Sequence, residues 1–235
     1  MTKKTQAKTT DTIEALSKIS RAISSDLYLE DILKLVVTVT AEVMNSRICT
    51  LMLLDDKKDK LVIRATQSIS EEYIKKQPLA KGEGIAWKVI KDNNPIVVPD
   101  VLKEPGYKYK DIAEKEGLAS LLCMPLAVKN KVIGVLNCYT SKPHRFTKTE
   151  INVLVSVANQ AAIAIENTEL MVKTRVIQEE LETRKAVEKA KGILMKDDAL
   201  TEEDAFRKIQ KYSMDRRKPM KEVAEAIIMM HEMRK

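Results

Sequence analysis

Residues 119–139 read ASLLCMPLAVKNKVIGVLNCY, and this stretch decides the fold. Two apolar runs, 119–128 and 132–139, flank the polar Lys129-Asn130-Lys131. That is the pattern of two strands joined by a turn, and their near-continuous apolarity predicts central strands covered on both faces. Pro125 has no N–H for a ladder, so a bulge or an open edge is expected in the first strand. Upstream, RICTLMLL at 47–54 and LVIRAT at 61–66 bracket a polar Asp55-Asp56-Lys57-Lys58-Asp59, a second hairpin. Between the hairpins, LAKGEGIAWKVIKDNNPIVVPDV at 79–101 breaks at Gly82 and Gly84. A short helix then carries Trp87 and Ile90, and Asn93-Asn94-Pro95 turns into a strand at 96–98.

Helical periodicity flanks this block. Ile13, Leu16, Ile19 and Ile23 predict a first amphipathic helix, with Asp11 and Glu14 as a capping box. Ile32, Val36, Val39 and Val43 predict a second. From Thr147 and Glu150, a T-x-x-E capping box, neither Pro nor Gly occurs up to Ala190. A helix of about forty residues is expected, against about 11–12 for an average one. Such a length needs cover along its whole course. Ile163, Asn167, Leu170, Thr174, Ile177 and Leu181 alternate four and three residues apart and form a candidate coiled-coil seam over 163–183. Asn167 and Thr174 would weaken that seam while fixing its register. Gly192 is expected to interrupt the helix and Asp197-Asp198 to close it. Thr201 with Asp204 caps a further helix carrying Ala205, Ile209 and Tyr212 on one face. Pro219 opens the last, with Val223, Ala224, Ile227 and Ile228 inward. Three short helices thus make a small C-terminal bundle. The fold class is α+β: an antiparallel sheet with helices, a long connecting coiled-coil helix and a three-helix bundle.

Composition narrows the function. The 235 residues carry 41 Lys and Arg against 34 acids, a net charge of +7, which permits a polyanionic partner without demanding one. No stretch of 18 apolar residues exists, so no membrane span is expected. Residues 1–10, MTKKTQAKTT, lack the apolar stretch of a secretory signal and read as a disordered tail. Cys49, Cys123 and Cys138 are odd in number and lie in apolar runs, as in a reduced cytoplasmic protein. They read as small buried hydrophobes rather than a redox set. Neither a CxxC nor an HxxxH spacing occurs, so no metal is expected. The two histidines, His144 and His231, build no Ser/His/Asp set, and G-x-S-x-G is absent, so no catalytic residue is nominated. Gly82-x-Gly84 lacks the rest of a dinucleotide or P-loop fingerprint. Asp55-Asp56 resembles an acidic phosphoacceptor cluster but reads better as a hairpin turn.

Charge gathers near the C-terminus. Residues 207–221 hold Arg207, Lys208, Lys211, Arg216, Arg217, Lys218 and Lys221 against Asp215 alone, and Lys185, Lys189 and Lys191 precede them. Charge by itself reads equally as a solvated face or as a phosphate-binding one. Tyr212 could stack on an unpaired base or belong to the core.

Two family resemblances sharpen this. GEGIAWKVIKDNNPIVVPD at 82–100, SLLCMPLAVKNKVIGVLNCYTSKPHRFTKTE at 120–150 and ANQAAIAIENTEL at 158–170 resemble a GAF domain, extending over 11–170. The resemblance implies an antiparallel sheet with helices on one side and a ligand pocket under loops on the other. It implies a sensor of an unknown small molecule, or a dimerisation module, with no cofactor assigned. The NKFDE-type pattern of cyclic-nucleotide binders is absent, as is a bilin-attachment cysteine. RKAVEKAKGILM at 184–195 and TEEDAFRKIQKYSMDRRKPMKEVAEAII at 201–228 resemble an ANTAR domain, over 175–235. That resemblance implies RNA binding, of paired hairpins in a nascent transcript, and transcription antitermination. Carried onto this chain, the RNA contacts are Lys191, Arg207, Lys211, Arg216 and Arg217, then Lys185, Lys208 and Lys218, with Tyr212 beside them. Ala190, Ala205 and Phe206 fall to packing. The chain is then read as a cytoplasmic homodimeric regulator and not an enzyme. Its input is a small molecule or a partner such as a sensor kinase. The alternatives are a GAF-type sensor and dimerisation protein without RNA binding, a DNA-binding regulator, and a GAF-fold Cys-dependent redox enzyme of the free methionine sulfoxide reductase kind.

Overall fold

The computed structural model describes residues 17, 18, 21, 29–55, 57–68 and 70–233. Of the helix expected from Ile13 to Ile23, Ser17, Lys18 and Arg21 are described and are helical, while the four apolar residues that predict it and the tail at 1–10 lie outside the described residues. Two compact units divide the chain, 1–168 and 169–235.

In the first unit, α1 (Leu29–Met44) precedes the hairpin of β1 (Ile48–Leu54) and β2 (Lys60–Thr66). Asp55 closes that hairpin: its Oδ1 accepts the N–H groups of Asp59 (2.9 Å) and Lys60 (3.1 Å). The acidic pair's first member is therefore spent on a turn. Next come α2 (Glu71–Ile74), β3 (Leu79–Ala80), α3 (Gly84–Asp92), β4 (Ile96–Val98) and α4 (Lys110–Lys115). The second hairpin is β5 (Leu121–Val128) and β6 (Lys131–Tyr139). Lys129 and Asn130 both take positive φ, 49° and 66°, the two-residue turn that matches strand twist. Lys131 already belongs to β6.

The sheet order is β3-β2-β1-β6-β5-β4, antiparallel throughout. Its residues sort by parity. Leu51, Leu53, Leu122, Leu136 and Cys138 face α1 and the start of the long helix, where Leu154, Ala158, Ala161 and Ile165 are buried. Met52, Leu121, Cys123, Val135 and Tyr139 face α3 and the loops, packing on Trp87, Val89 and Tyr107. Both faces of the central strands are covered, as their apolarity predicts. Pro125 lies past Cys123, the last β5 residue that β4 pairs, and the register slips between Leu126 and Ala127. The expected bulge and open edge are thus both present.

α5 (Lys148–Asp197) begins with the predicted capping box. Glu150 donates its N–H to Thr147 Oγ1 at 3.2 Å, and Thr147 donates its own N–H to Glu150 Oε2 at 2.8 Å. The helix runs unbroken through Gly192, contrary to expectation. One interior glycine costs only about 1 kcal/mol relative to alanine, and Ala190 and Leu194 beside it are buried. A Cβ at Gly192 would meet nothing within 4 Å. Gly192→Ala is therefore expected to stabilise the second unit by about 0.5–1 kcal/mol, read in urea denaturation.

The C-terminal bundle is consequently built from the end of α5 and two short helices, α6 (Glu202–Arg216) and α7 (Met220–Glu232), rather than from three short ones. Thr201 caps α6 by accepting the Asp204 N–H. Pro219 stands one residue earlier than expected, at the N-cap of α7. Ala190, Ala205 and Ala224 have no exposed area, so the helices approach through alanines around Ile209, Val187 and Val223.

Candidate nucleic-acid interface and ligand cavity

The basic residues of the second unit divide by what holds them. Arg207 pairs with Glu203 at 2.6 Å, Lys208 with Asp198 at 2.7 Å and Lys218 with Glu222 at 2.8 Å. Lys191 is placed quite differently from an RNA contact: only 7% exposed, it spans Glu188 (2.9 Å) and Glu202 (2.8 Å). The carboxylates, Glu202 foremost, raise its pKa. Its position ties α5 to α6. Lys185, Lys211, Arg216 and Arg217 are exposed and have no ion pair among the described residues.

Arg216 and Arg217 sit on a locked corner. Arg217 is left-handed, with φ 50°, where glycine is usual, and its N–H donates to Met214 O (3.2 Å) while the Lys218 N–H donates to Ser213 O (3.0 Å). Ser213 Oγ donates to Lys218 O at 2.5 Å. A side chain in this region is strained, and such strain gathers at functional positions. Tyr212, four residues before Arg216 on the same helix face, is 54% exposed, with the guanidinium 5.6 Å from its ring centroid. It lies beyond the reach of the core that holds Ala205 and Ile209, so it leaves the buried face on which its spacing placed it. Phe206 is also exposed (39%), whereas Ala190 and Ala205 do pack. The left-handed corner is invisible to a count of charges; the departure from a Gly or Asn cap at a helix end is its one sequence trace.

Along α5, every residue from 169 to 182 is exposed. Leu170, Thr174, Ile177 and Leu181 lie in that stretch with Met171, Val172 and Val176, and Ile163 and Asn167 just before it are exposed as well, so none of the seam is covered by the described residues.

The first unit holds a cavity of about 20 Å³ on the loop side of the sheet. Asn137, on β6, stands directly opposite Thr50 on β1. Thr50 Oγ1 is hydrogen-bonded to Tyr73 (2.8 Å) and Thr66 (3.1 Å). Asn137 Nδ2 donates to Met52 Sδ at 3.7 Å, and Asn137 Oδ1, fully buried, has no hydrogen-bond partner among the described residues. Lys76 lies over the rings of Tyr73 (3.9 Å) and Tyr109 (5.1 Å) with no carboxylate paired to it among the described residues. Loss of water pushes its pKa down to about 7. Because the unfolded chain keeps the Lys76 proton up to about pH 10 and the folded chain sheds it near pH 7, this group makes stability rise over that window. Lys76→Met is expected to gain most over the natural chain near pH 6 and least near pH 9, in paired thermal melts.

The cysteines sit on opposite faces. Cys49 and Cys138 are cross-strand partners with sulfurs 3.0 Å apart on the helix side, and Cys123 is on the loop side. Burial raises the pKa of the Cys123 and Cys138 thiols, the reverse of what a nucleophilic cysteine requires.

This architecture is that of a GAF domain joined to a helical ANTAR domain, and the chain belongs to the GAF family: the GAF domain model matches residues 27–166, and the ANTAR domain model matches 175–228. Among curated proteins, the transcriptional regulatory protein PdtaR of Mycobacterium tuberculosis (strain H37Rv) is 49% identical over 63 residues, covering 27% of this chain and 31% of PdtaR. The phosphoenolpyruvate-dependent phosphotransferase system protein of Escherichia coli is 25% identical over 155 residues, covering 66% of this chain and 21% of that protein. The chain thus spans a third or less of these relatives. Among solved structures, the GAF domain of a phosphoenolpyruvate-protein phosphotransferase from Coxiella burnetii has a TM-score of 0.63 at 26% identity, covering 70% of this chain and 98% of that one. Free methionine-R-sulfoxide reductase from Neisseria meningitidis shares the fold, with a TM-score of 0.58 at 20% identity, covering 68% of this chain and 91% of that one. A GAF domain followed by an ANTAR domain is a domain content typical of regulators. Among the described residues no helix is long and apolar enough to cross a membrane.

Proposed function

We propose that this chain is a cytoplasmic, signal-responsive regulator that binds paired hairpins in nascent transcripts and prevents termination. The observation that carries the reading is the α6–α7 corner, where Arg216, Arg217 and Lys211 make no ion pair among the described residues and lie on the same helix end as the exposed ring of Tyr212. Guanidinium groups suit phosphates and an exposed aromatic suits an unpaired base, the pairing by which RNA loops are read. Lys185 extends the contact set. Arg207, Lys208 and Lys218 exchange their acidic neighbours for phosphate at some cost, and Lys191 acts by positioning α6.

Two hairpins call for two corners, and the exposed seam on α5 supplies the means. A coiled coil through Leu170, Ile177 and Leu181 joins two copies, and the second hairpin then binds at high effective concentration. The GAF unit alters how often the two corners are presented together, which requires its ligand to bind the two states differently. The sensor without RNA binding is favoured by one observation: four of the nominated cations, Lys191, Arg207, Lys208 and Lys218, are already paired within the chain.

The test is a mobility-shift titration of the full chain with a two-hairpin leader at low salt. Affinity is expected to fall as salt rises and to weaken when one hairpin is deleted, while duplex DNA of equal length competes poorly. A folded chain that ignores every structured leader overturns the reading. Leu170→Asp with Ile177→Asp is expected to turn a species of twice 26.6 kDa into a monomer by light scattering. RNA affinity should then fall about a hundredfold, with the melting of the first unit unchanged.

A further inference from the structure

Cys49 and Cys138 face one another across the two central strands of the sheet, with their sulfurs 3.0 Å apart. The kind of strand pairing decides what they can do. The Cys49 N–H donates to Gln67 Oε1 at 3.2 Å, and the Cys49 carbonyl accepts the Thr66 hydroxyl at 3.1 Å. Both backbone groups of Cys49 thus point toward the end of β2 and away from β6. Cys49 and Cys138 are therefore a non-hydrogen-bonded pair, the closer of the two kinds, with Cα atoms typically about 4.5 Å apart. That spacing lies at the short end of the roughly 4.4–6.8 Å over which disulfides form, so the thiols can be joined without moving either strand far. A bond closed at that limit is also one that a thiol readily reopens. Cys123 is no partner for either: it packs on the loop side of the sheet, while Cys49 and Cys138 lie in the core on the helix side. Both paired thiols are fully buried. Cys49 is nevertheless the second residue of β1 and Cys138 the last but one of β6, so they stand at one end of the strand pair, where local opening costs less than at the centre.

We propose that Cys49 and Cys138 are the site of a reversible intrachain disulfide that makes the first unit responsive to thiol redox state. The oxidant is a small disulfide of the glutathione class. One cysteine, as its thiolate, attacks a sulfur of the small disulfide and releases one small thiolate, leaving a mixed disulfide on the chain. The other cysteine then attacks the protein sulfur of that mixed disulfide and releases the second. The two protons lost by the cysteines pass to the departing thiolates. Two protein thiols and one small disulfide thus become one protein disulfide and two small thiols. Burial keeps the Cys138 thiol protonated, so the exchange waits on opening of the strand ends and runs on the slow side of the seconds-to-hours range for such reactions. Disulfides of a reducing compartment are characteristically transient and redox-sensing, which suits a bond of this kind. Once closed, it ties β1 to β6 beneath α1 and the start of α5. The site depends neither on RNA binding nor on a small-molecule ligand of the GAF unit.

The full chain, without RNA, is equilibrated in glutathione buffers running from reduced to oxidised, quenched in acid, and its free thiols are blocked with N-ethylmaleimide in urea. Blocked thiols are expected to fall from three to one as the buffer becomes oxidising, and dithiothreitol should restore all three. Cleavage after Lys and Arg puts the cysteines in separate peptides, 48–57, 116–129 and 132–145, and the first and third are expected to be linked. Oxidation of the chain in urea is the control. There the bond should fall mainly between Cys123 and Cys138, because the loop from Cys49 to Cys138 spans 89 positions and is far longer. The linked chain is expected to melt roughly 10 °C above the reduced one by circular dichroism. Cys49→Ala should remove both the link and the shift, and Cys123→Ala should remove neither. The proposal is overturned if three thiols stay free in the most oxidising buffer, if Cys123 supplies one end of the bond in the folded chain, if the bond joins two copies, or if glutathione adducts accumulate in its place. It is equally overturned if dithiothreitol fails to reopen the bond, or if the linked chain melts no higher than the reduced one.

Discussion

Gly134→Ala is expected to destabilise the first unit by about 3 kcal/mol or more, lowering its melting transition steeply or abolishing soluble expression. Gly134 lies in β6 opposite Leu53 of β1 and Leu126 of β5. A Cβ there would sit 2.2 Å from the carbonyl oxygen of Met52 and 3.0 Å from the Leu53 Cα. Both obstacles are backbone, and both belong to a strand held by neighbours on each side. Relief requires strands at the centre of the sheet to separate, which breaks ladder bonds and opens both cores. Gly192→Ala is the internal control, because the same change meets nothing there. The pair is read by thermal denaturation followed by circular dichroism. A Gly134→Ala protein that melts like the natural chain would show that β1 and β6 can part at little cost.

Arg216→Glu with Arg217→Glu is expected to carry the largest functional effect: RNA affinity about a hundredfold lower and a salt dependence shallower by about two charges. The two residues close α6 with no carboxylate to satisfy, so reversal adds repulsion and breaks no internal ion pair. Folding should survive: both side chains are exposed, and a glutamate in place of Arg217 would meet the same left-handed strain as the arginine does. Reversal of Arg207, already paired with Glu203, should do less. Mobility shifts at three salt concentrations separate loss of phosphate contact from loss of fold. Unchanged affinity would leave the basic corner a solvated surface.

The sheet is legible in the sequence because its signals are local. The apolar run at 119–139 states that both faces are covered, and T-x-x-E at 147–150 places the start of α5. What escapes a linear reading is whatever depends on residues far apart. A count over 207–221 finds Asp215 alone, yet Asp198, Glu203 and Glu222 stand outside that window and reach into it, and Glu182 meets Lys221 from 39 positions away. Lys191 reads as one more cation until the fold brings Glu202 onto it. Gly192 reads as a break because its intrinsic cost is visible and the packing that outweighs it is not. Lys76 and Asn137 carry no motif at all. Their chemistry comes from being enclosed, one without a paired carboxylate and the other without a donor among the described residues.

The bare course of α5 from 169 to 182 has a thermodynamic corollary. Lone helical segments of this length are marginal in water, and no described residue of the same polypeptide shelters these fourteen positions. Their helicity is thus expected to follow mass action, strengthening as copies accumulate and slackening on dilution. Cellular abundance would then set how firmly this stretch of α5 holds its helix, before any metabolite is bound.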